Sequence, residues 1–491
     1  MSLIPRTLAP TPVASLQEHL DLGGGRGLEV ARRSDPARVI AMIEESGLRA
    51  RGGAGALCGE KWRRVRAYGR GAVVRSSVIV NAAEGEPGSF KDRAILWRNP
   101  YRVLEGALIA ATVVGAEDVV VATKRMHTVV NRRTNTAIEE LRAAGWLEGI
   151  DVELFEGPNE YLYGEETAML EAIDGRPPFP RIVPPHRHGI HEVASRSCAV
   201  DEVDDVGAST VYVELAGPGS GSIGAPTLVN NVETLANVPA IVVEGPQWFR
   251  SVGTDESPGS LVCTVTGATR HHGVGEVPMG TPLSHVIESI GGGPAEGRSV
   301  KAVMGGAATP LLTADQLDTP VSNEGMARVG ARLGCGGFIV FDDHDDMAAV
   351  AEGVARFLSV ESCGLCVPCK EDGLALTELF GRIRRSQADD RDLAAIRDHL
   401  RTIDDGARCG LAAQYRLVLQ SILDKFGAEL AAHVDGTVPA ASPVLVATIV
   451  DINGSRATLD ESHRQKQPDW TFEARWSGKF PPERQPAAVS S

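Results

Sequence analysis

The sequence predicts an α/β domain, then a small α+β unit of the ubiquitin-like β-grasp kind, then a helical bundle with clustered thiols. Three patterns predict it. Buried β-branched runs alternate with apolar-faced helices in the first half, which is a βαβ layout. Short strands and Gly turns then surround a single helical period. Further helical periods follow, and Cys363, Cys366 and Cys369 sit in the turn after the first of them.

Residues 1–34 are Pro/Gly-rich and read as an irregular lead-in over a domain surface, with one amphipathic piece at 15–22. Asp35 and Pro36 suit the N-cap and N1 positions of a helix with Val39, Ile40 and Ile43 on one face. That helix enters Gly47-Leu48-Arg49-Ala50-Arg51-Gly52-Gly53-Ala54-Gly55. Its glycines allow a close backbone approach to a ligand, and its arginines suit phosphate. The stretch is not G-x-G-x-x-G, so a flexible loop stays open as the alternative.

Residues 76–80 form a buried strand ending in Asn81-Ala82-Ala83-Glu84-Gly85-Glu86-Pro87-Gly88. Open α/β sheets place ligands at the C-terminal ends of strands. An acidic surface turn is the alternative. A helix at 102–114, a strand at 118–122, a helix at 135–144 and a strand at 151–155 continue the alternation. Tyr161-Leu162-Tyr163-Gly164-Glu165-Glu166-Thr167 then enters a helix at 168–173, where its carboxylates can cap the helix or bond a ribose or ring. Residues 174–225 are loop-rich. His186, His188 and His191 match no common metal-binding helix face, and a solvated loop is favoured. Asn230 and Asn231 stand at the start of an apolar helix, suited to capping and to ligand contact.

Composition changes near Pro246–Pro258. Strands at 261–266, 273–277, 302–304 and 338–341 flank a helix at 283–290. Helices are then expected at 347–358, 374–384, 390–402 and 415–426, with a short strand at 444–450.

Thiols at i, i+3 and i+6 on a Gly/Pro turn can converge on one small object. Structural zinc sites draw their thiolates as two separated pairs. A cubane cluster takes three close cysteines and a remote fourth, here Cys409. The spacing favours a [4Fe–4S] cluster, with zinc or non-ligating thiols as the alternatives.

The 491 residues leave room for about two to four domains. A formal charge of −15 with no long basic run argues against nucleic-acid binding. No apolar run reaches the length of a membrane span, and no signal-peptide pattern opens the chain. The expected location is the cytoplasm, or the periphery of the cytoplasmic membrane through partner subunits. Four of the eight cysteines cluster, which fits metal ligation in a reducing compartment. Cys58, Cys198, Cys263 and Cys335 show no linking spacing.

In order along the chain, Arg49–Gly55 with Lys61-Trp62, Asn81–Gly88 with Phe90-Lys91-Asp92, Tyr161–Thr167, Asn230–Thr234 and the four cysteines resemble one family. It is the NADH- and FMN-binding flavoprotein subunit of respiratory complex I, together with the flavin subunits of NAD-linked hydrogenases and formate dehydrogenases. The match spans roughly residues 15–435. The resemblance implies an FMN/nucleotide-binding domain at 35–250, a β-grasp-like unit at 251–345, a helical [4Fe–4S] domain at 346–435 and a tail at 436–491. It implies that FMN meets Arg51, Gly52, Gly53, Lys61, Asn81, Glu84, Gly164, Glu165, Glu166, Asn230, Asn231 and Thr234. Glu86 and Glu166 would lie on the nicotinamide side, and Cys363, Cys366, Cys369 and Cys409 would hold the cluster. NADH or NADPH would reduce FMN, and a thioredoxin-like [2Fe–2S] partner in a larger electron-transfer complex would follow.

Several positions depart from the family pattern. Ala56 and Arg64 replace aromatics, Ala83 replaces an acid, and Val183-Pro184-Pro185-His186-Arg187 lacks a Lys and a Phe. Base stacking on an aromatic contributes about 1–3 kcal/mol, so these changes weaken the expected NADH contacts more than the FMN contacts. Arg63, Arg64 or Arg176 would suit an extra phosphate. The alternative function is an FMN/[4Fe–4S] relay fed by a partner protein, and a scaffold without flavin is a third.

Overall fold

The computed structural model describes residues 3–69, 76–182, 184–186, 189–190 and 226–467. The His188, His191 and Cys198 positions, and Val183 and Arg187, lie outside the described residues. Four strands form the first sheet: β1 (Ser76–Ala82), β2 (Ala116–Lys124), β3 (Asp151–Gly157) and β4 (Thr227–Asn231). All pair in parallel, in the order β3-β2-β1-β4. The chain builds outward from β1 through β2 and β3, then returns to pair β4 on the other side of β1. That reversal makes a switch point between β1 and β4, where crossover helices diverge and leave a crevice. Asn81 and Asn231 are register partners at this point. β4 was not expected as a strand. Its five residues are too short to show a period, and the pairing with β1 decides it.

Helices cover both faces of this sheet. Pro100–Val114 starts with Asn99 accepting from Arg102 N at 3.1 Å. It crosses Val232–Glu244, and Gly106 meets the Leu235 carbonyl directly. The N-terminal lead-in holds two helices, Leu16–Asp21 and Arg26–Arg33, where only the first was expected. Gly23-Gly24-Gly25 hid the second, which forms because Leu28 and Ala31 are buried.

The second sheet contains β5 (Ser260–Gly267), β6 (Gly273–Pro278), β7 (Val300–Met304), β8 (Leu312–Thr313) and β9 (Gly337–Asp342). The order is β6-β5-β9-β7-β8, with β5 and β9 parallel and the other pairs antiparallel. The helix Leu283–Gly291 packs its Leu283, Val286 and Ile287 into the core of this unit.

The bundle comprises Met347–Glu361, Val367–Arg384, Asp390–Thr402 and Leu411–Val434. The second helix starts seven residues earlier than expected. Pro368 reads as a breaker but sits in the first turn, where its missing N–H is not needed. Beyond the bundle, β10 (Ile449–Asn453) and β11 (Arg456–Leu459) pair as a hairpin around Asn453-Gly454. The strand was expected five residues earlier. Residues 444–448 instead lie outside any strand. Among the described residues, no helix is long and apolar enough to cross a membrane.

The Gly106 crossing is exposed to test. A Cβ there would overlap the Leu235 carbonyl. Gly106→Val should lower stability by about 1–3 kcal/mol, read as a lower urea midpoint. An unchanged midpoint would rule out this helix crossing.

Candidate functional site

A cleft of about 740 Å³ opens at the switch point. Its walls include Gly52, Gly53, Lys61, Asn81, Glu84, Glu86, Gly164, Glu165, Glu166, Asn230 and Asn231. These come from the Gly loop and the helix after it (Cys58–Gly69), the ends of β1 and β4, the loop after β1, and the turn into the Glu166–Ile173 helix. The structure thus gathers separate sequence stretches around one space.

The Gly loop is a tight turn, with Ala50 N donating to Ala56 O at 2.8 Å and Cys58 N to Leu48 O at 2.9 Å. Gly53, at φ +109°, bridges to Gly334 of the second unit. Arg51 does not face the cleft. Its guanidinium runs behind the loop to Pro258 O at 3.1 Å and Met279 Sδ at 3.8 Å. Its backbone N–H donates to Thr234 Oγ1 at 2.9 Å. Arg51 and Thr234 therefore tie the loop to its supports and do not line the cavity, which corrects their expected place. Arg49 likewise bonds Gly55 O at 3.1 Å. The lysine that lines the cleft here is Lys61, paired with Glu166.

The asparagines are fixed by their neighbours. Asn81 Nδ2 donates to Gly164 O at 2.9 Å. Trp62 Nε1 donates to Asn230 Oδ1 at 2.8 Å. Asn231 caps the Val232–Glu244 helix through Glu233 N at 3.0 Å, accepts from Lys91 Nζ at 3.1 Å, and donates to Asp92 Oδ2 at 2.8 Å.

The carboxylates divide by partner. Glu84 pairs with Arg93 at 2.9 Å and accepts from Ser89 Oγ at 2.6 Å. Burial opposes its charge, but Arg93 and Ser89 hold it below the usual carboxylate range. Glu165 caps its helix by accepting from Thr167 N at 3.0 Å and Ala168 N at 2.9 Å. Glu86 is different. It accepts from neutral donors, Tyr161 Oη at 2.6 Å and Ala307 N at 2.6 Å. Burial pushes it up to about 7. Tyr161 and Gln414 join this network at 3.0 Å, and sequence reasoning assigned neither a role. Lys124 was also missed. Its buried Nζ lies against Gly85 with no hydrogen-bond partner among the described residues, and burial lowers it to about 8. Its place at the C-terminal end of β2 was the available signal.

Cys363, Cys366, Cys369 and Cys409 line one small cavity with Leu162, Pro180, Leu365 and Leu411. None of the four is in a disulfide. Ser362 Oγ lies 3.4 Å from Cys369 Sγ, and Arg408 N donates to Cys366 Sγ at 3.4 Å. Lys370 Nζ holds the turn through Ser359 O at 2.9 Å and Ser362 O at 3.0 Å. Cys366 is the N-cap of an 18-residue helix. Among the described residues, no three Cys, His, Asp or Glu side chains are gathered tightly enough for one metal ion. The thiols instead surround a space, an arrangement that suits a multi-iron cluster better than a tetrahedral Zn–S site with bonds of about 2.3 Å.

The two cavities adjoin. Leu162, Cys409 and Leu411 border both. A ligand in the cleft is thus separated from the thiol site by single side chains.

A family model described as the Nuo51 FMN-binding domain matches residues 43–240. A second, the NADH-ubiquinone oxidoreductase-F iron-sulfur binding region, matches residues 349–433. An NADH-quinone oxidoreductase F-subunit of Rhizobium meliloti (strain 1021), the second of that name there, is 35% identical, over 86% of this chain and 96% of that protein. The chain belongs to the F-subunit flavoprotein family. NADP-reducing hydrogenase subunit HndC of Solidesulfovibrio fructosivorans is 34% identical, over 86% of this chain and 81% of that protein. Among solved structures, an NAD+-reducing [NiFe]-hydrogenase in its H2-reduced state matches with a TM-score of 0.70 at 29% identity. That match covers 86% of this chain and 67% of the other. As a family member, the chain is an FMN- and [4Fe–4S]-binding electron-transfer oxidoreductase of the NADH-linked class. This agrees with the resemblance drawn from the motifs.

The cysteine ligands are directly testable. Cys366→Ser should remove most of the iron, sulfide and broad visible absorption from the purified protein. Full iron content in that variant would show that the ligand set is wrong.

Proposed function

We propose that this chain oxidises NADH or NADPH through FMN in the switch-point cleft and passes single electrons to a [4Fe–4S] cluster on Cys363, Cys366, Cys369 and Cys409. The observation that carries the proposal is the shared border of the two cavities at Leu162, Cys409 and Leu411. FMN, when bound, converts a two-electron donor into single-electron outflow. This chain's residues supply the position. Gly52 and Gly53 let the backbone come close, and Lys61 offers a cation. Asn81, Asn230 and Asn231 stand at the strand ends, and the Gly164 turn closes the wall. Glu84 and Glu165 already use their carboxylates internally, so they contribute wall and rigidity. Glu86 and Glu166 face the cleft on the side we assign to the nicotinamide.

The domain map follows the same reading. Residues 35–250 are the FMN domain, 251–345 the β-grasp-like unit, and 346–435 the cluster domain. Separate apolar cores around Val78 and Val80, around Leu283 and Ile287, and around Met347 and Leu358 support it. The relatives named above are subunits of larger assemblies, which supports partner subunits here. We assign a thioredoxin-like [2Fe–2S] protein as the next electron carrier, with the assembly in the cytoplasm or peripheral to the cytoplasmic membrane.

The donor is decided by this chain's departures. Ala56 and Arg64 line the cleft. Arg63 pairs with Glu44, and Arg176 with Glu171 and Asp174. Of the three arginines suited to an extra phosphate, it is Arg64 that lines the cleft. Anaerobic titration of FMN-loaded protein tests this. Flavin bleaching by NADH or NADPH is expected. No bleaching by either, with dithionite still reducing flavin and cluster, would move the function to a protein-fed relay.

Glu86 sets a pH dependence. Below about 7 it is neutral, and above that its charge opposes an anionic dinucleotide. The raised value also means that ionising Glu86 costs folded-state stability as pH rises from its ordinary range through 7. KM for the nucleotide should rise about three- to tenfold across this range, as about 0.7–1.4 kcal/mol of repulsion implies. Glu86→Gln should flatten that limb. An identical pH profile in the variant would remove Glu86 from this role.

A further inference from the structure

The iron–sulfur family match ends at residue 433, yet the chain beyond it packs on all three units. Ala441 N donates to Arg384 O at 3.0 Å in the bundle. Val446, Ala447 and Ile449 are buried. Thr448 Oγ1 donates to Gly85 O at 3.2 Å, in the cleft wall. Arg93, which holds Glu84, donates to Ile449 O at 2.5 Å. On the second unit, His272 N donates to Ser455 O at 2.8 Å, and Ala457 N to His272 Nδ1 at 2.8 Å.

The segment ends on Glu361, two residues before Cys363. Glu361 Oε1 accepts from Lys466 Nζ at 2.7 Å and faces His463 Nε2 at 3.1 Å. Its Oε2 accepts from Tyr161 N at 2.9 Å. Tyr161 in turn donates to Glu86 in the cleft. The Phe357 ring lies between Tyr161 and His463, with both ring centroids 5.2 Å away. Arg356 Nη2 anchors the end of the segment through the carbonyls of His463, Arg464 and Lys466 at 3.2, 3.0 and 2.9 Å. The carboxylate of Glu361 is 4% exposed, so it needs these partners. Glu160, Asp460 and Lys124 are further charged groups that act on it or on Lys466.

We propose that residues 442–466 form a strap in which His463 and Lys466 are positioning residues, holding Glu361 and, through it, both Tyr161 in the cleft wall and the entry to the thiol turn. The proposal rests on the assignment of cleft and thiols above. With FMN and a cluster bound, the strap would fix the separation across which single electrons would pass between them. The strap itself exchanges no atoms or electrons. Electron transfer slows exponentially with separation, so a loosened Tyr161–Glu361 contact slows this step while nucleotide oxidation continues.

The test uses full-length holoprotein with Lys466→Met, His463→Ala and the conservative Lys466→Arg. Amide hydrogen exchange at Tyr161 should be about tenfold faster in the first two and near wild type in Lys466→Arg. Stopped-flow reduction of the cluster should slow about tenfold, with flavin bleaching by nucleotide changed by less than about twofold. Unchanged exchange at Tyr161 would overturn the strap even if FMN and cluster are bound as assigned. Faster exchange spread evenly over the whole molecule, without rescue by Lys466→Arg, would overturn it too, since it would show only general destabilisation. The exchange measurement can also be read in protein lacking either cofactor, so failure of the site assignment and failure of the strap are separable.

Discussion

The molecule depends on one buried lysine. Lys91 is 1% exposed and meets Asp92 at 2.7 Å, Glu233 at 3.0 Å and Asn231 at 3.1 Å. Glu233 also accepts from Val262 N at 2.8 Å, on β5 of the second sheet. A single ammonium therefore joins the loop after β1, the end of β4 and the next unit. An ion cluster this deep gains nothing over a packed apolar core, and loss of one partner leaves charge stranded at a cost of about 3–5 kcal/mol. Its effect is to hold the two strand ends at the switch point, which keeps the crevice open.

Around that crevice, partner choice decides what each acid can do. Glu84, with Arg93, is a fixed charge. Glu165 is committed to a helix cap. Glu166 pairs with Lys61. Glu86 accepts from neutral donors, so burial brings it into the physiological range. These glutamates of one cleft thus carry different roles, set by neighbours rather than by residue type.

The same logic separates the arginines. The Gly loop looked like a phosphate cradle because Arg49 and Arg51 flank its glycines. The folded loop turns both guanidiniums onto carbonyls, and Arg51 becomes a buried tether to Pro258. The ligand-facing surface of the loop is its backbone, with Lys61 in the helix that follows.

Much was legible in the sequence for local reasons. Val78–Val80, the Asp35-Pro36 cap and the Cys363–Cys369 spacing are short-range signals, and each appears in the fold where its period or cap chemistry places it. The family was legible because its motifs keep their order. Tertiary structure alone decided the strand β4, the helix Arg26–Arg33 and the early start of Val367–Arg384, since each exists through packing that no local window contains. It alone placed Tyr161 and Gln414, 253 residues apart, on one carboxylate network, and set Cys409 against both cavities. Sequence determines which groups are present and their local conformation. The environment of a buried charge depends on contacts between distant segments, and those exist only once the chain has folded.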